Sequence, residues 1–354
     1  MAATPPPQGW SGARYVTVSD VLSGATPRYN PGVDFPSAAF VPSARQRRFG
    51  RFAGFLLAYL LLVIVFGAWV RITGSGAGCG EHWPSCHGQL VPRTPSQATV
   101  IEYTHRLTSG LLGLLTLVLP VWAWRCFPPG HGARRASVGT LVLVAVEAAI
   151  GAGLVKKGLV ADDASVARAV VVALHLVNTL LLTGCSALTV ALASKPSSRA
   201  RALGLVSRSA ASAVRSVPVW AFGVVLFGLC AVAASGAVTA LGDTLFPVAV
   251  GASGQSGAAA EHFLVQLRVL HPILACIVVC ATFALAWALA QQPEMRAWAV
   301  ALGGLSFVQL VLGALNVLWR APGWLQLTHL LVAQLIWISA VILAQKSQAR
   351  AREA

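Results

Sequence analysis

The chain has 354 residues, 56% of them hydrophobic and only 10% charged, and its mean hydropathy is +0.71. That balance excludes an ordinary water-soluble domain and points to a polytopic membrane protein. The formal net charge of +15 would suggest a nucleic-acid partner in a soluble protein. Beside membrane spans the same arginines set topology, so no nucleic-acid role is expected.

In chain order, residues 1–44 are rich in Pro, Gly, Ser and Ala and lack an apolar core. They are expected to form a disordered cytoplasmic tail without the apolar stretch of a signal peptide. About 20 apolar residues cross a bilayer as a helix. Such runs fall at roughly 52–70, 104–124, 136–155, 166–193, 217–240, 263–290, 297–318 and 323–345. They are continuous rather than alternating, which excludes a strand barrel. The expected fold class is therefore an all-α polytopic membrane protein with eight transmembrane helices.

Arginine and lysine orient the spans. "RQRRFGR" precedes the first, Arg125, Arg134 and Arg135 separate the second and third, a basic 194–216 linker joins the fourth and fifth, and "QKSQARAR" follows the last. These four segments share one side, expected to be the cytoplasm, with both termini there. Arg-over-Lys usage and the loop cysteines point to a bacterial plasma membrane, with a mitochondrial membrane as the alternative. Lys156 and Lys157 are the main exceptions.

The two halves match each other weakly. "YTHRLTSGLLGLL" in span two pairs with "RVLHPILACIVV" in span six, "VEAAIGAGLV" in span three with "VQLVLGALNV" in span seven, and "ALHLVNTLLL" in span four with "LTHLLVAQLIW" in span eight. Two pseudo-symmetric four-helix bundles are expected, residues 45–193 and 217–345, followed by a cytoplasmic tail at 346–354. Each is a packing unit able to house a site in its own core.

The repeat places one histidine in each even-numbered span: His105, His175, His271 and His329. A lone intramembrane histidine is most often a hydrogen-bonded packing residue. Four in a duplicated pattern favour two bis-histidine haem sites, because two imidazoles at one depth of a bundle supply both axial ligands. Proton carriage, another metal or a structural hydrogen-bonded pair are the competing readings. His82, His87, His131 and His262 fall in loops and are left outside the ligand set.

Glu102 lies three residues before His105, so the two share a helix face, whereas Arg268 holds the equivalent place before His271. Only one half thus offers a carboxylate in that position. It is expected to lie at the water-accessible outer edge and to stabilise developing positive charge or take up protons. The bland reading, compatible with this, is an ion pair with Arg106. Glu147 sits inside span three, opposite Gln309 in the repeat. A structural helix contact is favoured there over a proton path.

The combination of "GAWVRITGSGAGCGEHWPSCHG", "EYTHRLTSG", "GDTLFP" and "RVLHPILA" resembles the haem A synthase family over about residues 50–345. The resemblance implies oxidation of the C8 methyl of haem O to a formyl group, giving haem A for terminal oxidases. It implies that His105 and His175 hold the substrate haem, that His271 and His329 ligate a haem b cofactor, and that Glu102 is catalytic. It also implies haem O as substrate, membrane lipid as surroundings, an unidentified electron donor, and haem O synthase and oxidase assembly factors as partners. A homo-oligomer is left open. The rival functions are a two-haem electron-transfer cytochrome and a haem transporter or chaperone.

Cys79 and Cys86 flank "GEHWPS" in the first outer loop, and some relatives carry such a pair. An oxidising outer face makes a disulfide the leading reading. A thiol relay and a metal site of Cys79, His82, Cys86 and His87 are the alternatives. Members of the family often have a second pair in the third outer loop, where this chain has no cysteine.

Overall fold

The eight apolar runs are all helices in the computed structural model, which describes residues 42–195, 217–246 and 262–351. Helix α1 spans Ala44–Ile72, α2 Gln97–Cys126, α3 Gly132–Lys156 and α4 Val166–Ala193. Helix α5 spans Val219–Leu245, α6 Leu270–Ala290, α7 Pro293–Leu318 and α8 Gly323–Ala351. A turn at Phe263–Gln266 and a 3-10 turn at Leu267–Val269 lead into α6, so that this span runs from Phe263 to Ala290. No strand occurs among the described residues beyond an isolated bridge between Cys86 and Gln89.

Helix ends are set by caps rather than by hydropathy. Ser43 and Gln46 form a reciprocal capping box that starts α1 at Ala44, well before the apolar run begins. Ser96 accepts the Thr99 N–H and Ser165 the Arg168 N–H, satisfying orphan donors at the starts of α2 and α4. His131 and His262 are N-cap residues, each accepting a backbone N–H two residues on. Most of the expected tail and of the basic linker lies outside the described residues.

Contacts close α1, α2, α3 and α4 into one ring and α5, α6, α7 and α8 into another. Helices α4 and α8 touch across the rings, as do α4 with α5 and α1 with α8. Arg71 of α1 also bridges them, donating to the Ala240 carbonyl at 2.7 Å, to Thr244 Oγ1 and to Gln326 Oε1 at 2.8 Å.

Each ring has a dry apolar core at one end. In the first it gathers Phe49, Leu56, Leu60, Leu112, Leu119 and Leu182; in the second Phe222, Leu285, Leu289, Leu302, Ile336 and Leu343. Burial of aliphatic groups against lipid gains little in water-exclusion terms, so close packing carries the helix contacts. Outward-facing Leu62, Phe227 and Trp287 are exposed, as a lipid-facing surface requires. The four histidines lie toward the other end. Each is six to nine residues beyond the first residue of its span, roughly 9–14 Å along the axis.

Candidate functional site

In the second ring, the imidazoles of His271 and His329 face each other with ring centroids 6.5 Å apart and planes at 75°. Two metal–nitrogen bonds of about 2 Å plus the ring radii give a separation of this size. Ser235 donates its hydroxyl proton to the Val232 carbonyl at 2.9 Å, so at 3.1 Å it accepts from His271 Nδ1. That fixes the proton on Nδ1 and leaves Nε2 with a free lone pair, the arrangement a metal-ligating histidine needs. His329 Nδ1 is buried without a partner. A Cβ on Gly236 would stand 2.9 Å from His271 Cε1, and one on Gly313 3.5 Å from His329 Cε1. Only glycine fits against the first ring. A flat macrocycle coordinated between these rings suits the donor set and the glycine approach.

The first ring repeats the design with other supports. A Cβ on Gly67 would stand 3.0 Å from His105 Cε1. Phe66, where the repeat has Ser235, meets the His105 ring edge-on at 5.7 Å. His105 Nδ1 is buried and unpartnered. His175 Nδ1 lies 3.4 Å from Glu147 Oε1, near enough to interact but not aligned as a hydrogen bond. His105 stands eight residues beyond the first of α2 and His175 nine beyond the first of α4, so the two lie at similar depth. In each pair, therefore, one imidazole has a polar neighbour at Nδ1 and the other has none.

Glu147 is tied to α4 on both oxygens: Asn178 Nδ2 donates to one, and the Thr179 hydroxyl, shared with the His175 carbonyl at 2.9 Å, meets the other. Asn178 also donates to the Leu143 carbonyl at 3.0 Å. The expected helix contact is therefore present, and it reaches a histidine of the duplicated set. Gln309 has an unpartnered, buried Oε1 instead.

Glu102 departs from expectation. It is buried, not open to water. Its Oε2 accepts the Cys79 N–H at 2.8 Å and its Oε1 accepts from Arg106 Nε at 3.1 Å and from Nη2. Arg106 Nη1 donates in turn to the carbonyls of His82 at 2.6 Å and Ser85 at 2.7 Å. Thr99 Oγ1 donates to the Gly78 carbonyl at 2.7 Å, and Tyr103 to that of Leu90. Positions 99, 102, 103 and 106 form one stripe of α2, and all four hold the cysteine loop down. A Cβ at Gly78 would fall 2.4 Å from the Ala98 carbonyl, so no larger residue permits this seat. The reason Glu102 is dry is that the loop covers it.

Cys79 and Cys86 are joined as a disulfide. This removes both thiolates from the alternative metal site, and the described residues contain no cluster of three or more metal-ligating side chains. His87 Nε2 instead lies 2.9 Å from the Gly78 carbonyl.

The second ring is not free of carboxylates either. Arg268 Nε lies 2.8 Å from Asp243 Oδ1, and Nη2 donates to the carbonyls of Gly242 at 2.9 Å and Phe246 at 2.8 Å. The asymmetry expected from Glu102 against Arg268 is thus one of placement. The acid comes from the histidine-bearing helix in one half and from α5 in the other. Asp243, Ser235 and the paired Gly67 and Gly236 escaped the sequence reading. The alignment of "FGAWVRITG" with "SGAVTALGD" carries the glycine signal; nothing local marks the serine.

Fold and site together define a class: a multi-pass membrane protein whose described residues form eight membrane-length helices, four of them carrying a histidine near one end. The chain belongs to the cytochrome oxidase assembly protein family (COX15-CtaA), whose model matches residues 50–341. It is similar to a protoheme IX farnesyltransferase of Thermus thermophilus, 44% identical over 310 residues, which are 85% of this chain and 49% of that protein. It also resembles the heme A synthase of Alkalihalophilus pseudofirmus, 40% identical over 99 residues, 28% of this chain and 33% of that protein. The heme A synthase of Geobacillus kaustophilus is 40% identical over 113 residues, 32% of this chain and 36% of that protein. The chain thus spans about half, or less, of the length of these relatives within the matched regions.

Proposed function

We propose that the chain is a haem A synthase: it oxidises the C8 methyl of haem O to a formyl group, supplying haem A for cytochrome oxidase assembly. The observation that carries the reading is the duplicated histidine pair at matched depth, with acid-bearing surroundings that differ between halves. His271 and His329 hold a resident haem b, and His105 and His175 hold the substrate haem O. When bound, the resident haem supplies one-electron redox chemistry. The chain's own residues bind, orient and exclude water. Ser235 fixes the His271 tautomer, Gly67 and Gly236 leave room at the ring faces, and the clamped loop roofs Glu102. Glu102 places a fixed negative charge on the helix that carries His105, where an electron-poor carbon would be stabilised without reorganisation. The two-bundle organisation, the cytoplasmic termini and a plasma-membrane location belong to the same proposal, with haem O synthase and oxidase assembly factors as working partners.

The name of the Thermus relative invites a prenyl-transfer reading. Carrying a prenyl diphosphate on divalent cations calls for several oxygen ligands from clustered carboxylates. The described residues hold no such cluster, whereas they do hold the facing His271 and His329 rings. Pigment analysis of cells expressing the chain beside a source of haem O tests the proposal. Haem A in the extract supports it. Haem b alone, in both halves, favours an electron-transfer cytochrome and rejects it.

A further inference from the structure

We infer that Glu147 is a positioning residue for His175, placing a carboxylate beside ligand Nδ1 in the substrate half, where the other half has only a neutral hydroxyl. The inference rests on the proposal that His175 ligates the bound haem. Four observations support it. His175 Nδ1 is buried, and Glu147 Oε1 lies 3.4 Å from it. Asn178 Nδ2 donates to the carboxylate, and the Thr179 hydroxyl, which also lies 2.9 Å from the His175 carbonyl, meets its other oxygen. Those two residues follow His175 by three and four positions on α4, so one helix face carries the imidazole and the donors that hold its acceptor. In the other half the neighbour is the neutral hydroxyl of Ser235, and it serves His271; His329, the repeat partner of His175, has an unpartnered Nδ1, and the repeat partner of Glu147 is the amide of Gln309, whose Oε1 has no partner.

A carboxylate beside the far nitrogen of a ligating imidazole orients the ring, keeps the proton on Nδ1 and makes Nε2 a stronger donor. A stronger donor favours the oxidised iron and lowers its potential. The two halves therefore hold their haems in unlike fields although their ligands are alike. Contacts from Asn178 and Thr179 keep the anion from turning away, which a mere helix–helix contact would not require.

The test is a redox titration and a haem-retention assay on the full-length protein, with haem O as the probe in the first half. Glu147→Gln should raise the midpoint potential of that haem, leave the haem of the second half unchanged, and weaken haem O retention about 10-fold. Glu147→Asp, which restores the charge, should recover part of both effects. If Glu147→Gln does not fold, Thr179→Val removes one donor to the carboxylate and should shift the potential in the same direction. An unchanged potential in these variants overturns the inference. His175→Ala separates the two layers of the argument: loss of the low-spin signal with it, but no response to Glu147→Gln, sinks the positioning role alone. Retention of that signal in His175→Ala sinks the ligand assignment itself.

Discussion

Glu102 Oε2 accepts the backbone N–H of Cys79 at 2.8 Å, joining the proposed catalytic carboxylate to the disulfide loop. The same side chain pairs with Arg106, whose guanidinium spans two further loop carbonyls. The bland and the functional readings of Glu102 thus describe one network. The fixed donors and the covering loop hold the carboxylate in one orientation away from water, with the Arg106 charge offsetting part of its field.

Glu102→Gln keeps the shape of the side chain and loses the charge. We expect normal haem b content, retained haem O and haem A formation lowered by about two to three orders of magnitude. Pigment extraction and chromatography measure this. Near-normal haem A would leave Glu102 as a fastener for the loop and nothing more.

His271→Ala and His329→Ala should each abolish the low-spin haem b signal while the first four helices stay folded. The 6.5 Å separation of the two rings motivates this, because each would supply one axial bond. A full haem b spectrum in either variant would show that the second half is not the resident haem site.

Cys79→Ser/Cys86→Ser should still bind haem and keep part of its turnover. Thr99, Glu102, Tyr103 and Arg106 hold the loop through bonds that do not involve sulfur. Complete loss of haem b in this double variant would make the disulfide essential to the whole fold.

The glycines should separate the two sites. Gly236→Ala brings a methyl to 2.9 Å from the His271 ring and should cut haem b occupancy, with little effect on haem O binding. Gly67→Ala meets His105 at 3.0 Å and should do the reverse. Gly304→Ala, whose added methyl meets nothing within 4 Å, is the control and should behave as the parent. Optical quantification of each haem decides the matter; equal losses in all three would show a general packing defect.

The sequence by itself determined the eight helices, because a bilayer demands long apolar runs with every backbone group bonded internally, and that demand is written locally. It marked the four histidines and Glu102 as candidates too, since intramembrane polar residues are costly enough to stand out one by one. Helix starts were less legible. Ser43, Ser96 and Ser165 set them through hydrogen bonds a few residues away, beyond the apolar run that hydropathy detects. Only the tertiary structure decided what surrounds each site residue. Glu102 is dry because a loop more than twenty residues earlier folds over it, and Glu147 meets His175 because α3 packs on α4. Arg268 finds Asp243 on another helix altogether. These partners are remote in the chain and are chosen by packing geometry and by the need to satisfy buried polar atoms, which no local pattern encodes.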